Sequence, residues 1–372
     1  MKKYLISGIP PSQNGVGYLM KGLETIANDY GYEVIYPIHI DKSVRKSLFN
    51  PFVVIPEILR RLKSKNNFIS KLKVIKGAEV ILIHPQTIGY KTFIELLKDN
   101  KLVKTYIMDN SFFCIKSYNL LNGSECLNCL NNLEAYDESC SPFPIKYKKD
   151  INIQYLNEYK NYAPNIVFYA QNKRQALLLK AHFGEKTKII LIGLKTGEIF
   201  EKDYVKGLSE QYDIVYHGAN VEAKGFLYFI ELAKKMHDKI FFMPYNKEEI
   251  PSMEIPKNLI CKSMTWDTGL KDIVINAKLV LCPSLWSTPI EGALLKSIHY
   301  NGNVGIVKTT YGFGNDIPDT ALLKLSADTT KAVGQINKFF IESDNISQQS
   351  KLWLSTYLSQ DCKIDDLFKD VE

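Results

Sequence analysis

Nowhere does the sequence run apolar for the roughly 18 residues that a membrane-spanning helix needs. The opening MKKYLISGIPPSQNG holds two lysines and an apolar run that ends by Ser7, far short of the apolar core of a secretory signal. A cytoplasmic, reducing address is expected, so the cysteines read as thiols or metal ligands and not as disulfides. A G-x-G-x-x-G fingerprint is missing, because SQNGVGYL is spaced differently and no ribose-binding acid is identifiable beyond it. That argues against nicotinamide chemistry, and no redox cofactor is expected. No nucleic-acid reader motif accompanies the positive charge, which makes nucleic acid a poor partner. Internal repeats and low-complexity tracts are absent too.

What is present is an ordinary soluble composition, 45% hydrophobic and 23% charged over 372 residues, a length that suits two domains. The net charge of +7 is unevenly spread. Between Lys42 and Lys76 ten basic residues face one acid, Glu57, so the remainder of the chain is about −2. Leu48, Phe49, Phe52, Val53, Ile55, Ile58, Leu59, Leu62, Phe68, Ile69 and Leu72 are interleaved with these cations. Residues 42–76 therefore read either as a basic amphipathic face for an anionic membrane surface or as a solvated helix face packed on a core.

Along the chain, short apolar runs alternate with helical patterns. KYLISGI, YEVIYPI, AEVILIH, KTYIMDN, PNIVFYAQN and TKIILIG read as strands, with YLMKGLETIANDY and KTFIELLKDN as helices among them. The pattern restarts at YDIVYHGAN, followed by KGFLYFIELAKKM, where Phe226, Phe229, Ile230 and Ala233 fall on one helical face. KIFFMPY, AKLVLCPS and NVGIVKT continue as strands, with TPIEGALLKSIHY as a helix between the last two. The expectation is α/β: two Rossmann-like domains with parallel sheets facing a cleft, residues 1–196 and 210–345, with a seam near Lys195 to Gln211. Ligands of such sheets bind at the carboxyl ends of the strands.

The order and spacing of several segments resemble glycosyltransferases of the GT-B architecture, family 4 in particular. IPPSQNGVGYLMKGLETIANDYGYEVIYPI is similar to the family's opening, with Gly15 and Gly17 in a turn near the donor. YHGANVEAKGFLYFIELAKKM resembles the first strand and helix of the donor domain, where Gly218 and Lys224 belong. LVLCPSLWSTPIEGALLKSIHYNGNVGIVKTTYGFGNDIP looks like the donor-binding stretch, placing Ser287, Thr288, Pro289, Ile290, Glu291 and Lys296 at the donor. In the GT-B architecture a terminal helix commonly returns to the first domain, and SKLWLSTYLSQDCKIDDLF, within 346–372, is expected to do so.

The departures are equally specific. Ala219 stands where the family has an arginine on the donor diphosphate. Ser287 or Thr288, and Leu295 or Lys296, occupy the slots of the family's two glutamates. Glu291 does not obviously replace them, since Thr288, Pro289 and Glu291 fit the N-cap, first and third positions of a capping box. Lys224, the following helix N-terminus and Lys296 are expected to share the donor diphosphate. At the ends of two first-half strands, His84 in LIHPQT and Asp109 in IMDNSFF are the candidate catalytic or acceptor contacts, with a capped strand end and a turn as their structural readings.

Four of the seven cysteines fall within one polar stretch, Cys114, Cys126, Cys129 and Cys140, spaced C-x11-C-x2-C-x10-C. They are expected on a loop insertion at about 112–145 in the N-terminal domain. The readings are a structural zinc site, an iron–sulfur cluster, or a coincidental group of thiols. Four thiolates would leave no open position on the metal, so zinc here is a staple and not a catalyst. The resemblance implies transfer of a sugar from a nucleotide donor to a glycan, lipid-linked or on a cell-surface polysaccharide, with retention, on the inner face of the cell membrane. The alternative is a degenerate scaffold that binds glycan or nucleotide without turnover.

Overall fold

The computed structural model describes residues 1–12, 15–38, 51–194, 212–246, 254–342, 346–360 and 363–371, the side chains of 51–54 and 57 excepted. The expected seam between the halves and residues 42–50 of the basic segment lie outside them.

The first half is built on β1 (Lys3–Ser7), β2 (Glu33–Ile35), β3 (Glu79–Ile83), β4 (Leu102–Tyr106), β7 (Ile166–Ala170) and β8 (Lys188–Leu191). They form one parallel sheet in the order β2-β1-β3-β4-β7-β8. β3 and β7 are buried at every position, as parallel strands covered on both faces must be, while the edge strand β8 is part-exposed. Helices α1 (Gly15–Asp29), α2 (Pro51–Lys73), α3 (Pro85–Ile88), α4 (Tyr90–Asp99), α5 (Lys149–Tyr162) and α6 (Lys173–Phe183) belong to this half. Each fully buried aliphatic side chain of β3, from Val80 to Ile83, contributes roughly 1.5–3 kcal/mol.

Between β4 and α5 the chain has little regular structure beyond a hairpin, β5 (Leu120–Leu121) with β6 (Ser124–Glu125). Its apolar residues divide between the halves. Phe112, Phe113, Ile115, Leu130 and Leu133 join the core of the first sheet, whereas Leu120, with Tyr118 against it, joins the core of the second.

The second sheet holds β9 (Ile214–Tyr216), β10 (Phe241–Met243), β11 (Leu259–Cys261), β12 (Leu279–Leu281), β13 (Val304–Val307) and β14 (Leu323–Leu325), in the order β11-β10-β9-β12-β13-β14. All its pairs are parallel. Its helices are α7 (Phe226–Lys235), α8 (Leu270–Asn276), α9 (Gly292–Tyr300), α10 (Thr329–Glu342) and α11 (Ile346–Gln360). Strand order reverses between β1 and β3 in one sheet and between β9 and β12 in the other. The crevices at the carboxyl ends of those pairs are where an open α/β sheet binds ligands.

Helix α11 packs on α9, and the chain then returns to the first sheet. Ile364, Leu367 and Phe368 join Leu5, Tyr32 and Ile81 in one core, and the N–H of Lys363 donates to the carbonyl of Ile192. Beneath them lies a buried lysine. Lys104 Nζ stands 2.7 Å from Glu79 Oε1 with both side chains at most 1% exposed, and it donates to the carbonyls of Leu367 at 3.3 Å and Lys369 at 2.7 Å.

Candidate functional site

A cleft of about 640 Å³ opens between the carboxyl ends of the two sheets, within the range of small-ligand sites. Gly15, Tyr18, His84, Met108 and Asp109 line it from the first half, and His217, Gly218, Lys224, Tyr245, Trp266, Trp286 and residues 288–293 with Lys296 from the second. Two of the expected site residues do not line it. Gly17 lies against the preceding loop, where a Cβ would come within 1.9 Å of Ser12 Oγ, so it serves close packing. Ser287 is buried and turned toward the segment after β4: its Oγ accepts from Asn119 Nδ2 at 2.8 Å and donates to Glu125 Oε1 at 2.5 Å.

Lys224 ends the turn after β9. Gly225 follows it with φ 77°, and a Cβ there would stand 2.0 Å from the Pro283 carbonyl oxygen, so only glycine lets this turn press on the loop after β12. The Lys224 ammonium is paired with Glu291 Oε1 and lies 4.9 Å from the centre of the Trp286 ring. Ser284 Oγ donates to the other carboxylate oxygen of Glu291 at 2.7 Å.

The capping box expected at Thr288–Glu291 does not form. Helix α9 begins at Gly292, Glu291 occupies its N-cap position with extended backbone (φ −112°, ψ 126°), and its side chain makes no cap bond. Thr288 Oγ1 donates to the Pro289 carbonyl instead. The physical reason is Pro289: the residue before a proline is disfavoured in helix, and residues 287–291 stay non-helical, 287–290 of them buried, until the chain turns into helix at Gly292. Gly292 and Ala293 of the first α9 turn, where helix N–H groups have no intrahelical partner, line the cleft together with Lys224. One turn on, Lys296 stands 4.7 Å above the Trp266 ring.

His217 was not singled out from the sequence. It is buried, stacks on Trp266 at 5.3 Å with the rings 8° from parallel, and its Nδ1 lies 2.8 Å from Ser297 Oγ. Since the Ser297 hydroxyl donates to the Ala293 carbonyl, Nδ1 is the donor and Nε2 is left as an acceptor. Burial, with Lys296 nearby, pushes its pKa down to about 3, so it is neutral at ordinary pH.

Across the cleft, His84 and Asp109 meet. His84 Nε2 lies 3.1 Å from Asp109 Oδ2, and Nδ1 lies 3.0 Å from Thr87 Oγ1. Burial alone would raise the Asp109 pKa, but His84 and the hydrogen bonds from Ser111 outweigh it and hold the carboxyl below its usual value. His84 adopts a left-handed backbone, φ 59° and ψ 68°, rare for a non-glycine residue and a strain that tends to be kept at working sites.

The halves are tied together beside the cleft. Asn110 Nδ2 donates to the Ser287 carbonyl at 2.9 Å, and the Ser287 N–H donates to Asn119 Oδ1 at 3.0 Å. Glu125 accepts the backbone N–H groups of Thr310 at 2.6 Å and Tyr311 at 3.2 Å. Gln171 Oε1 accepts the N–H of Ile290 at 3.2 Å.

All four cysteines of the polar stretch are free thiols lining one small cavity with Phe113, Leu120 and Tyr136. Burial pushes the Cys114 thiol well up and that of Cys129 to about 11. Among the described residues no three His, Cys, Asp or Glu side chains already stand in metal-holding geometry.

Two Rossmann-like halves facing a cleft, with the chain returning to the first, constitute the GT-B fold of glycosyltransferases. The solved structures similar to this chain are GT-B glycosyltransferases at low identity. Sucrose-phosphate synthase from Thermosynechococcus elongatus superposes with a TM-score of 0.63 at 8% identity, over 99% of this chain and 98% of that one. HepE from Anabaena, in complex with UDP and glucose, gives 0.60 at 9% identity over 99% and 97%. The GtfA/B complex gives 0.53 at 15% identity over 83% of this chain, which spans 61% of that chain's length. No protein-family model and no curated protein sequence matches.

Proposed function

We propose that the protein is a nucleotide-sugar-dependent glycosyltransferase related to family 4, with the donor on the second half of the cleft and a glycan acceptor on the first. The observation that carries this reading is the Lys224–Glu291 pair beside the first turn of α9, at the switch point of the second sheet and opposite His84 and Asp109. As the acceptor oxygen bonds to the anomeric carbon and the bond to phosphate breaks, negative charge grows on the leaving diphosphate, whose oxygen takes up the acceptor's proton. Lys224, Lys296 and the α9 N–H groups would hold it, taking over from the arginine that Ala219 replaces. His84 and Asp109, already bonded to each other, would position an acceptor hydroxyl; transfer proceeds with retention. UDP is the first nucleotide to try, because HepE is similar in fold and holds it.

A lipid-linked acceptor at the inner face of the cell membrane suits helix α2. Ile55, Ile58, Leu59 and Leu62 form a stripe at helical spacing, 49–60% exposed, flanked by Arg60, Arg61, Lys63 and Lys65. Such a face is complementary to an anionic bilayer, each cation near the surface contributing about 1 kcal/mol. Among the described residues no helix is long and apolar enough to cross a membrane.

The test is nucleotide release by the purified protein against UDP-, GDP-, CMP- and TDP-sugars with lipid extract as acceptor. Extract-dependent release from one donor supports the reading and fixes the nucleotide. Tight nucleotide binding with no release across the panel would favour the non-catalytic scaffold, to which Ala219 and the missing paired glutamates point. Sedimentation with phosphatidylglycerol vesicles tests the membrane face: Leu59→Glu should abolish binding, and equal binding by the variant would remove α2 from the membrane.

A further inference from the structure

We propose that Cys114, Cys126, Cys129 and Cys140 bind one zinc ion as a tetrathiolate, and that this ion holds the strap that closes the two halves beside the cleft. The proposal rests on the architecture alone, so it can fail or succeed apart from the transferase reading.

Three features point to a metal. The four side chains come from three stretches of the chain, around 114, 126–129 and 140, yet line a single cavity with largely apolar walls, and none of them is in a disulfide. The outer cysteines lie in tight turns: the N–H of Ser117 donates to the Cys114 carbonyl, and that of Cys140 to the Asp137 carbonyl, each at 2.9 Å. Lys116, whose Nζ donates to the Leu120 carbonyl at 2.7 Å, brings positive charge to a site that would carry excess negative charge with zinc bound.

The four sulfurs must still be drawn together. Zinc–sulfur bonds are about 2.3 Å and tetrahedral, and each cysteine has three staggered positions about χ1. Binding therefore asks for the four side chains to be drawn inward around the cavity they line. Four thiolates exclude water from the metal, which makes the ion structural.

What the ion would hold is specific. Tyr118, Asn119, Leu120 and Glu125 lie between the first two cysteines, and they make the contacts to Trp286, Ser287, Thr310 and Tyr311 of the second half. Regular structure there is limited to two-residue strands, too little to fix the strap by backbone pairing. A metal cross-link tying both ends of 114–126 to 129 and 140 would supply the missing constraint.

The experiment begins with the full chain, produced with zinc and dialysed without chelator. Zinc is measured by mass spectrometry and by release with a mercurial thiol reagent. One zinc per chain, lost in Cys126→Ser/Cys129→Ser, is expected. Cobalt loaded into the chelated wild type should give the intense sulfur-to-cobalt bands of a tetrathiolate, a readout that does not depend on a variant folding. Hydrogen exchange should rise at least tenfold in 115–125 and 284–291 on chelation, while β3 stays protected. Glu125→Gln should keep its zinc while loosening 309–311. No zinc and no cobalt bands, or iron with sulfide in zinc's place, overturns the zinc assignment. Unchanged exchange on chelation overturns the strap.

Discussion

Two of the lysine–glutamate pairs among the described residues lie in opposite settings. Lys104–Glu79 lies within the first sheet, at most 1% exposed, with two backbone carbonyls and the Tyr32 hydroxyl completing it. Lys224–Glu291 lies on the cleft, 19% and 14% exposed, with Ser284 on one carboxylate oxygen and the Trp286 ring beside the ammonium. The first has every donor satisfied by groups that cannot leave. The second keeps one side toward a space that a diphosphate could fill. The same two residue types therefore serve architecture in one place and recognition in the other, and the difference lies in what surrounds them.

The comparison breaks most visibly if the buried pair is disturbed. Lys104→Ala leaves Glu79 buried with only the Lys3 ammonium, 3.8 Å away, as a counter-charge and should cost about 3–5 kcal/mol in urea denaturation. A loss below about 1 kcal/mol would mean the pair is not what ties residues 364–369 down. Lys224→Ala should do the reverse. Stability should change by about 1 kcal/mol or less, while UDP affinity by calorimetry falls roughly 10- to 100-fold, the effect of losing a charged hydrogen bond; unchanged affinity would take Lys224 out of the donor site.

Acidification bears on two buried histidines. His217 and His182 are held neutral by burial, with pKa values near 3 and 4 in the folded chain against 6.5 when exposed. Below about pH 6.5 the unfolded chain takes up protons that the folded chain refuses, so stability is lost as pH falls, by about 1.4 kcal/mol per pH unit for each group. Urea midpoints at pH 7.5 and 5 should show the loss, and His217→Asn should halve it. Asp109 acts only lower, where its depressed pKa makes stability fall as the carboxylate protonates. The smallest effect is expected from Glu291→Gln, which should leave UDP affinity closer to wild type than Lys224→Ala does, since it removes a competitor for the ammonium.

Much of this arrangement was legible in the sequence. Ten of the twelve strands in the two sheets show as apolar runs, and Gly218, Lys224 and residues 288–291 could be placed by order and spacing. Leu259–Cys261 and Leu323–Leu325 were missed because both are part-exposed edge strands, without the buried apolar run that marks the strands between them. Glu291 was misread because TPIE satisfies a local capping pattern, and only the extended path before α9 shows that its carboxylate goes to Lys224. Lys104 gave no signal at all: a lysine in a strand reads as an exposed position, and its partners are carbonyls more than 260 residues away. Ser287 was expected at the donor along with its neighbours, although its hydroxyl belongs to Asn119 and Glu125.

That distance has a consequence for biogenesis. A lysine at the centre of the first sheet reaches its full set of acceptors only when residues 367 and 369 arrive. During synthesis, at about 5–20 residues per second, the first half must wait tens of seconds with an ammonium under-satisfied in its interior. A nascent chain of that kind is a natural client for chaperones, and its folding is committed only after the second half has been made.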